Sequence, residues 1–242
     1  MRRVGLGTVS SLALAACAVL SASCGQAQAP PAAQGDQLSM ERPLDQPVSS
    51  TLGIVFLGDS LTAGLGLYAQ QAFPAVIQDL FQTEGYHEVE IVNGGLSGDT
   101  TAGGLRRIDA LLQPQVRIVV VALGGNDALR GLTSRQTHDN LAAIIDKIQA
   151  FGADVLLAGM EAPTNLGLDY QEAFRDVYRQ LSIEYVGSVT YVPFLLEGVA
   201  GQPELNQADG IHPNAEGARK IADLLYPRLR AMVDRAGPGG HE

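Results

Sequence analysis

Three uninterrupted apolar runs rich in β-branched residues constrain this chain more than anything else in it. They are Ile54-Val55-Phe56-Leu57, Ile118 to Leu123 (entered from Arg117) and Val155 to Met160. A strand with one wet face alternates apolar and polar side chains. A continuous apolar run is buried on both faces, as in a parallel sheet covered by helices on each side. Two shorter runs, Val89-Glu90-Ile91-Val92 and Tyr191-Val192-Pro193-Phe194, supply further strands, and Pro193 places the fifth at an edge. Between the strands the apolar period becomes helical. Ala72 to Thr83 puts Phe73, Val76, Ile77, Leu80 and Phe81 on one face, and Ser134 to Phe151 does so with Leu141, Ile144, Ile145 and Ile148. A helix carrying Leu105, Ile108, Leu111 and Leu112 is expected after caps at Thr100 and Thr101, stopping at Gln113-Pro114. Tyr170 to Tyr185 and Asn214 to about Val233 read as helices too, and Pro227 is expected to kink or divide the last one. Strand and helix alternate from one end to the other. The expected fold is α/β, with a mostly parallel five-stranded sheet between two helical layers.

Ligands of such sheets bind beyond the carboxyl ends of the strands, so the turns there carry the chemistry. Gly58-Asp59-Ser60-Leu61 follows the first strand, Ser97-Gly98-Asp99-Thr100 the second, and Gly124-Gly125-Asn126-Asp127 the third. If those strands are neighbours, Ser60, Gly98 and Asn126 share one rim. Each also has a purely structural reading: Asp59 and Ser60 as a helix cap, Asn126 as a turn residue. A fourth segment, Asp209-Gly210-Ile211-His212-Pro213, precedes the last helix. Its Asp and His are spaced so that the carboxylate can reach imidazole Nδ1, leaving Nε2 free to take a proton. The other histidines read as solvated: His87 in a turn, His138 near a helix start, His241 in a Gly/Pro tail. Asp59 and Asp127 read as local hydrogen-bonding groups, Asp99 as a helix cap, and Arg106, Arg107 and Arg130 as exposed cations.

The amino-terminal part has a different character. Met1-Arg2-Arg3 and a small-residue apolar run to about Ser23 have the layout of a signal peptide. Leu14-Ala15-Ala16-Cys17 is similar to a bacterial lipobox; Cys24 and ordinary cleavage after Ala27-Gln28-Ala29 are rivals. The expected organisation is a signal peptide of lipoprotein type over 1–24, a disordered tether over 25–50, a folded domain over 51–236 and a flexible tail over 237–242. The protein is therefore expected to be exported to the periplasm or cell envelope, touching membrane only through an amino-terminal lipid. Both cysteines lie in the leader, so the folded body holds no thiol nucleophile, thiolate metal site or disulfide. Sixteen basic against 26 acidic residues, a net charge of −10, set the surface against nucleic acid phosphates.

Taken together and in order, Gly58-Asp59-Ser60-Leu61, Gly98, Gly125-Asn126-Asp127 and Asp209-Gly210-Ile211-His212-Pro213 resemble the four blocks of the SGNH (GDSL) hydrolases. The resemblance runs from about residue 52 to 233 and is greatest to bacterial exported arylesterases and the periplasmic thioesterase/lysophospholipase group; Gly159 to Asn165 looks more like the arylesterase branch. It implies a flavodoxin-like three-layer α/β/α fold and a serine esterase needing neither metal nor cofactor. Its substrates would be small esters: aryl or short-chain acyl esters, lysophospholipids or thioesters. By the same resemblance Ser60 is the nucleophile, His212 its base and Asp209 the carboxylate behind the imidazole. The Ser60 and Gly98 N–H groups and the Asn126 amide form the oxyanion hole. The acyl group is expected against loops after the third and fourth strands, including Leu129 and Leu166. Other readings are an O-acetyl esterase acting on cell-wall or polysaccharide acetyl groups and a catalytically silent lipoprotein that only binds in the cleft. A flavin-binding module is disfavoured, since Asp59 puts a carboxylate where a phosphate would sit.

Overall fold

The computed structural model describes residues 51–237. The expected signal peptide and tether, Cys17, Cys24, His241 and the tail after Gly237 lie outside the described residues. Five strands, β1 (Leu52–Gly58), β2 (Val89–Gly95), β3 (Val116–Ala122), β4 (Asp154–Ala158) and β5 (Val189–Val192), form one sheet. Their order is β2-β1-β3-β4-β5, and every neighbouring pair is parallel. β1 is buried along its whole length and β3 everywhere but Arg117, as their unbroken apolar runs require. β5 is an edge strand, although it ends at Val192, just before the proline that marked it. β2 forms the other edge, where Glu90 is exposed.

The chain steps from β1 to β2 in one direction, then back across β1 to β3 and onward to β5. Right-handed crossovers put the connecting helices on opposite faces when the direction reverses. α2 (Phe73–Thr83) accordingly packs with the last helix, α7 (Ala215–Ala236), on one side. α3 (Thr101–Leu111), α5 (Ser134–Phe151) and α6 (Leu168–Glu184) pack in sequence on the other. Two one-turn helices that the apolar period did not announce, α1 (Ser60–Ala63) and α4 (Gly125–Leu129), begin directly after β1 and β3. Beneath α1, Phe56 of β1 meets Phe73 of α2 edge-to-face, ring centroids 5.7 Å apart, and both rings are buried. Burial of a side chain of this size contributes about 1.5–3 kcal/mol.

Pro227 does not divide the last helix; α7 runs unbroken through it. The reason lies in where the proline points. Pro227 and Asp223, whose carbonyl loses its intrahelical partner, are both exposed, so water can take that carbonyl. On the same stretch the Arg228 guanidinium donates to the Leu224 carbonyl at 2.9 Å.

Register settles where the strands end. Gly58 stands opposite Gly95 on one side and Ala122 on the other, so β1, β2 and β3 finish level. The order reverses between β1 and β3, and the turns after these strands surround that switch point.

Candidate active site

β1 stops at Gly58, and Asp59 turns the chain into α1 by accepting the Leu61 N–H at 3.0 Å. Ser60 thus opens a helical turn at the mouth of the switch point, partly exposed. From the opposite end of the sequence the loop before α7 comes back to it. His212 Nε2 lies 2.9 Å from Ser60 Oγ, and His212 Nδ1 lies 2.7 Å from Asp209 Oδ2. With the ring proton on Nδ1, held by the carboxylate, Nε2 accepts from the serine hydroxyl. Asp209 Oδ1 accepts the N–H groups of Ile211 and His212 at 2.9 and 3.0 Å. These donors, with the imidazole, hold the carboxyl down to about 2.

The loop is fastened by residues that sequence reasoning missed. Gln207 Nε2 donates to the Leu65 carbonyl just past α1 and to the Pro213 carbonyl, and its N–H donates to His212. Asn214 caps α7 through the N–H groups of Glu216 and Gly217 and donates its amide to Glu204. A capping asparagine before a helix is a readable signal; Gln207 had none.

Gly98 follows β2 with φ at +80°, a conformation that L side chains rarely adopt. Neither its N–H nor that of Ser60 has a protein acceptor among the described residues. Asn126, in the first turn of α4, donates one Nδ2 hydrogen to Asp59 Oδ2 at 3.1 Å, which leaves the other for a ligand. Ser60, Gly98 and Asn126 therefore occupy the level ends of β1, β2 and β3, with His212 and Asp209 in reach of the serine.

Several neighbours depart from their sequence readings. Asp59 is not only local: it is 2 % exposed, and it joins its own turn to Asn126 on another strand end. Burial pushes its carboxyl up to about 6, against the opposing pull of the Leu61 N–H and the Asn126 amide. Asp127 is fully buried and accepts from the Thr101 N–H and hydroxyl, tying α4 to the start of α3. Thr101 therefore serves as a donor to Asp127, and Thr100 alone caps α3, through the Gly103 N–H at 3.2 Å. Asp99 does not cap; it accepts from Thr100 N–H and pairs with Arg107 at 2.7 Å. Arg107, read as exposed, is largely covered, whereas Arg106 is exposed as expected. Arg130 is exposed but anchored, donating to the Gly98 carbonyl at 2.7 Å. His138 is not free in solvent either, since its Nε2 lies 3.1 Å from Glu184 across α5 and α6; His87 is exposed. Leu129 and Leu166 are exposed, and a narrow crevice beside Ser60 and His212 is lined by Leu61, Gly64, Leu67, Phe73 and Ile221.

The profile of the GDSL-like lipase/acylhydrolase family matches residues 56–220 of this chain. Over 189 residues, 78% of this chain and 92% of the relative, it is 42% identical to Esterase TesA of Pseudomonas aeruginosa. Over 182 residues, 75% of this chain and 85% of the relative, it is 41% identical to an Escherichia coli protein named thioesterase 1/protease 1/lysophospholipase L1. Among solved structures, a crystal structure of TesA superposes with a TM-score of 0.70 at 41% identity, covering 74% of this chain and 99% of that one.

Proposed function

The chain belongs to the GDSL-like lipase/acylhydrolase family and is a carboxylic ester hydrolase, and from that premise we propose that it works through an acyl-enzyme on Ser60. One observation carries the assignment: Ser60 Oγ and His212 Nε2, 152 residues apart in sequence, lie 2.9 Å apart. His212 takes the hydroxyl proton as Oγ attacks the ester carbonyl, and Asp209 stabilises the imidazolium that results. The carbonyl oxygen, now negative, receives the Ser60 and Gly98 N–H groups and the free hydrogen of Asn126 Nδ2. These donors are held in place beforehand, so their alignment costs nothing at the moment of reaction. Collapse of the tetrahedral centre expels the alcohol or thiol, which takes its proton from His212. A water molecule, deprotonated by the same imidazole, then releases the acid. The scheme uses no metal or cofactor.

We assign the substrates to small esters of aryl or short-chain acyl type, with lysophospholipids and thioesters in the same range. The names of the relatives, esterase and thioesterase/lysophospholipase, support that class. The leader supports export to the periplasm or cell envelope, with a lipid on Cys17 or Cys24 as the membrane attachment. Mixing the protein with an activated ester and mapping the adduct by mass spectrometry tests the mechanism; the acyl mass belongs on the peptide containing Ser60. Ser60→Ala removes the nucleophile and lowers turnover of a p-nitrophenyl ester on the order of 10⁶-fold. An adduct on another residue, or an undiminished S60A, overturns the assignment.

A further inference from the structure

We infer that Arg107 is a positioning residue whose guanidinium sets the distance between the Ser60 turn and the Gly98 loop. The inference rests on the acyl-enzyme reading of Ser60. Arg107 projects from α3 toward the level ends of β1 and β2, with only 23% of its side chain exposed. Its Nη2 donates to the Gly58 carbonyl at 2.9 Å, two residues before Ser60. Its Nη1 donates to the Gly94 carbonyl at 2.7 Å, at the end of β2. Its Nε donates to Asp99 Oδ2 at 2.7 Å, on the residue that follows Gly98. A single planar cation therefore spans three segments: the strand that delivers the nucleophile, the neighbouring strand, and the loop that delivers an oxyanion donor.

The partners of the fork are themselves fixed. The Gly58 carbonyl also accepts the Leu96 N–H at 3.0 Å, so both of its lone pairs are in use. The Asp99 side chain is 8% exposed, and its other oxygen accepts the Thr100 N–H at 3.1 Å. That carboxylate lies directly on α3 at Gly103, where a β-carbon would stand 1.6 Å from Asp99 Oδ1. Gly103 is the residue that lets Asp99 come close enough to meet Arg107. Lysine cannot replace the fork, because a single ammonium does not present donors to three separated acceptors in one plane. Loss of the fork frees the two strand-end turns to shift relative to each other. A displacement of about 1 Å at such a site costs about 10²-fold in rate.

The test compares R107A, R107K and, as a control at the exposed neighbour, R106A in steady-state hydrolysis of a p-nitrophenyl ester. Folding is verified by circular dichroism and thermal melting. R107A and R107K are expected to lose about 10²-fold in kcat with KM nearly unchanged, while R106A matches the parent. Free guanidinium at concentrations too low to denature is expected to restore part of the R107A loss, and an ammonium salt of equal ionic strength is not. Three results overturn the inference: folded R107 variants with parental kcat, a loss that falls on KM alone, or a loss that guanidinium leaves untouched. If R107A does not fold, R107K assayed at a temperature where its spectrum matches the parent's decides by the same split of kcat from KM. S60A assayed alongside separates the two readings. An active S60A defeats the acyl-enzyme reading itself, and an inert S60A beside unaffected R107 variants defeats only the role of Arg107.

Discussion

Replacing Asp59 by Asn separates what this carboxylate does for turnover from what it does for stability. Its Oδ1 is held by the Leu61 N–H at 3.0 Å, so in D59N the carbonyl oxygen stays on Leu61 and the amide nitrogen takes the place of Oδ2. That nitrogen then faces Asn126 Nδ2 across 3.1 Å, a donor against a donor. The Asn126 amide must rotate away, and with it goes the hydrogen aimed at the oxyanion. The ceiling on the loss is the worth of one such donor, about 10²–10³ in kcat. Stability responds with the opposite sense. The carboxyl sits at about 6 in the fold against 3.8 when unfolded. Between those values the folded chain holds a proton that the unfolded chain has released, so stability falls as the pH rises through the window. The full span corresponds to about 3 kcal/mol. D59N has no such dependence. For a domain of this size, its melting temperature relative to the parent should climb by roughly 6–12 °C as the pH passes from 3.8 to above about 6. Differential scanning calorimetry across that range, with p-nitrophenyl ester kinetics at neutral pH, measures both effects. In an N126A background the kinetic cost of D59N should disappear, because the donor it misdirects is already gone. Parental kcat in D59N, or a melting difference flat with pH, would refute the reasoning.

Asp209→Asn keeps the loop closed but allows the imidazole the wrong tautomer, and should lower kcat by about 10⁴ with KM little changed. The pH dependence of its stability follows from the native Asp209 value of about 2. Stabilisation from this group is complete above the unfolded value of 3.8 and is lost as the pH falls toward 2, so the stability difference between parent and D209N should be constant above 3.8 and shrink below it. Pro227→Ala returns an N–H to the Asp223 carbonyl on the exposed face of α7, and a melting scan should show a gain of up to about 3 kcal/mol.

The parts legible in the sequence share one property, which is that their signals are local. Ile54 to Leu57 reads as a doubly buried strand and is one, the period from Leu141 to Ile148 puts one face on the core, and Asp209 lies one turn from the histidine it orients. What could not be read depends on which strands lie side by side. Asp59 and Asn126 are 67 residues apart, and Arg107 and Gly58 are 49 apart. Nothing in either segment announces the other until β1 is known to sit between β2 and β3. The same contacts explain why acidic residues are kept at covered positions. Asp59, Asp99 and Asp127 are each covered, and each is joined to a strand-end turn that carries Ser60, Gly98 or Asn126. A core built for stability alone would place apolar side chains at such positions. Hydrogen-bonding groups there set distances between turns that no apolar contact would fix as closely, because a hydrogen bond specifies both length and direction where packing constrains only volume. The reacting groups are therefore held by a ring of buried polar residues beneath them, and the pH-dependent stability given up at Asp59 is the measurable trace of that arrangement.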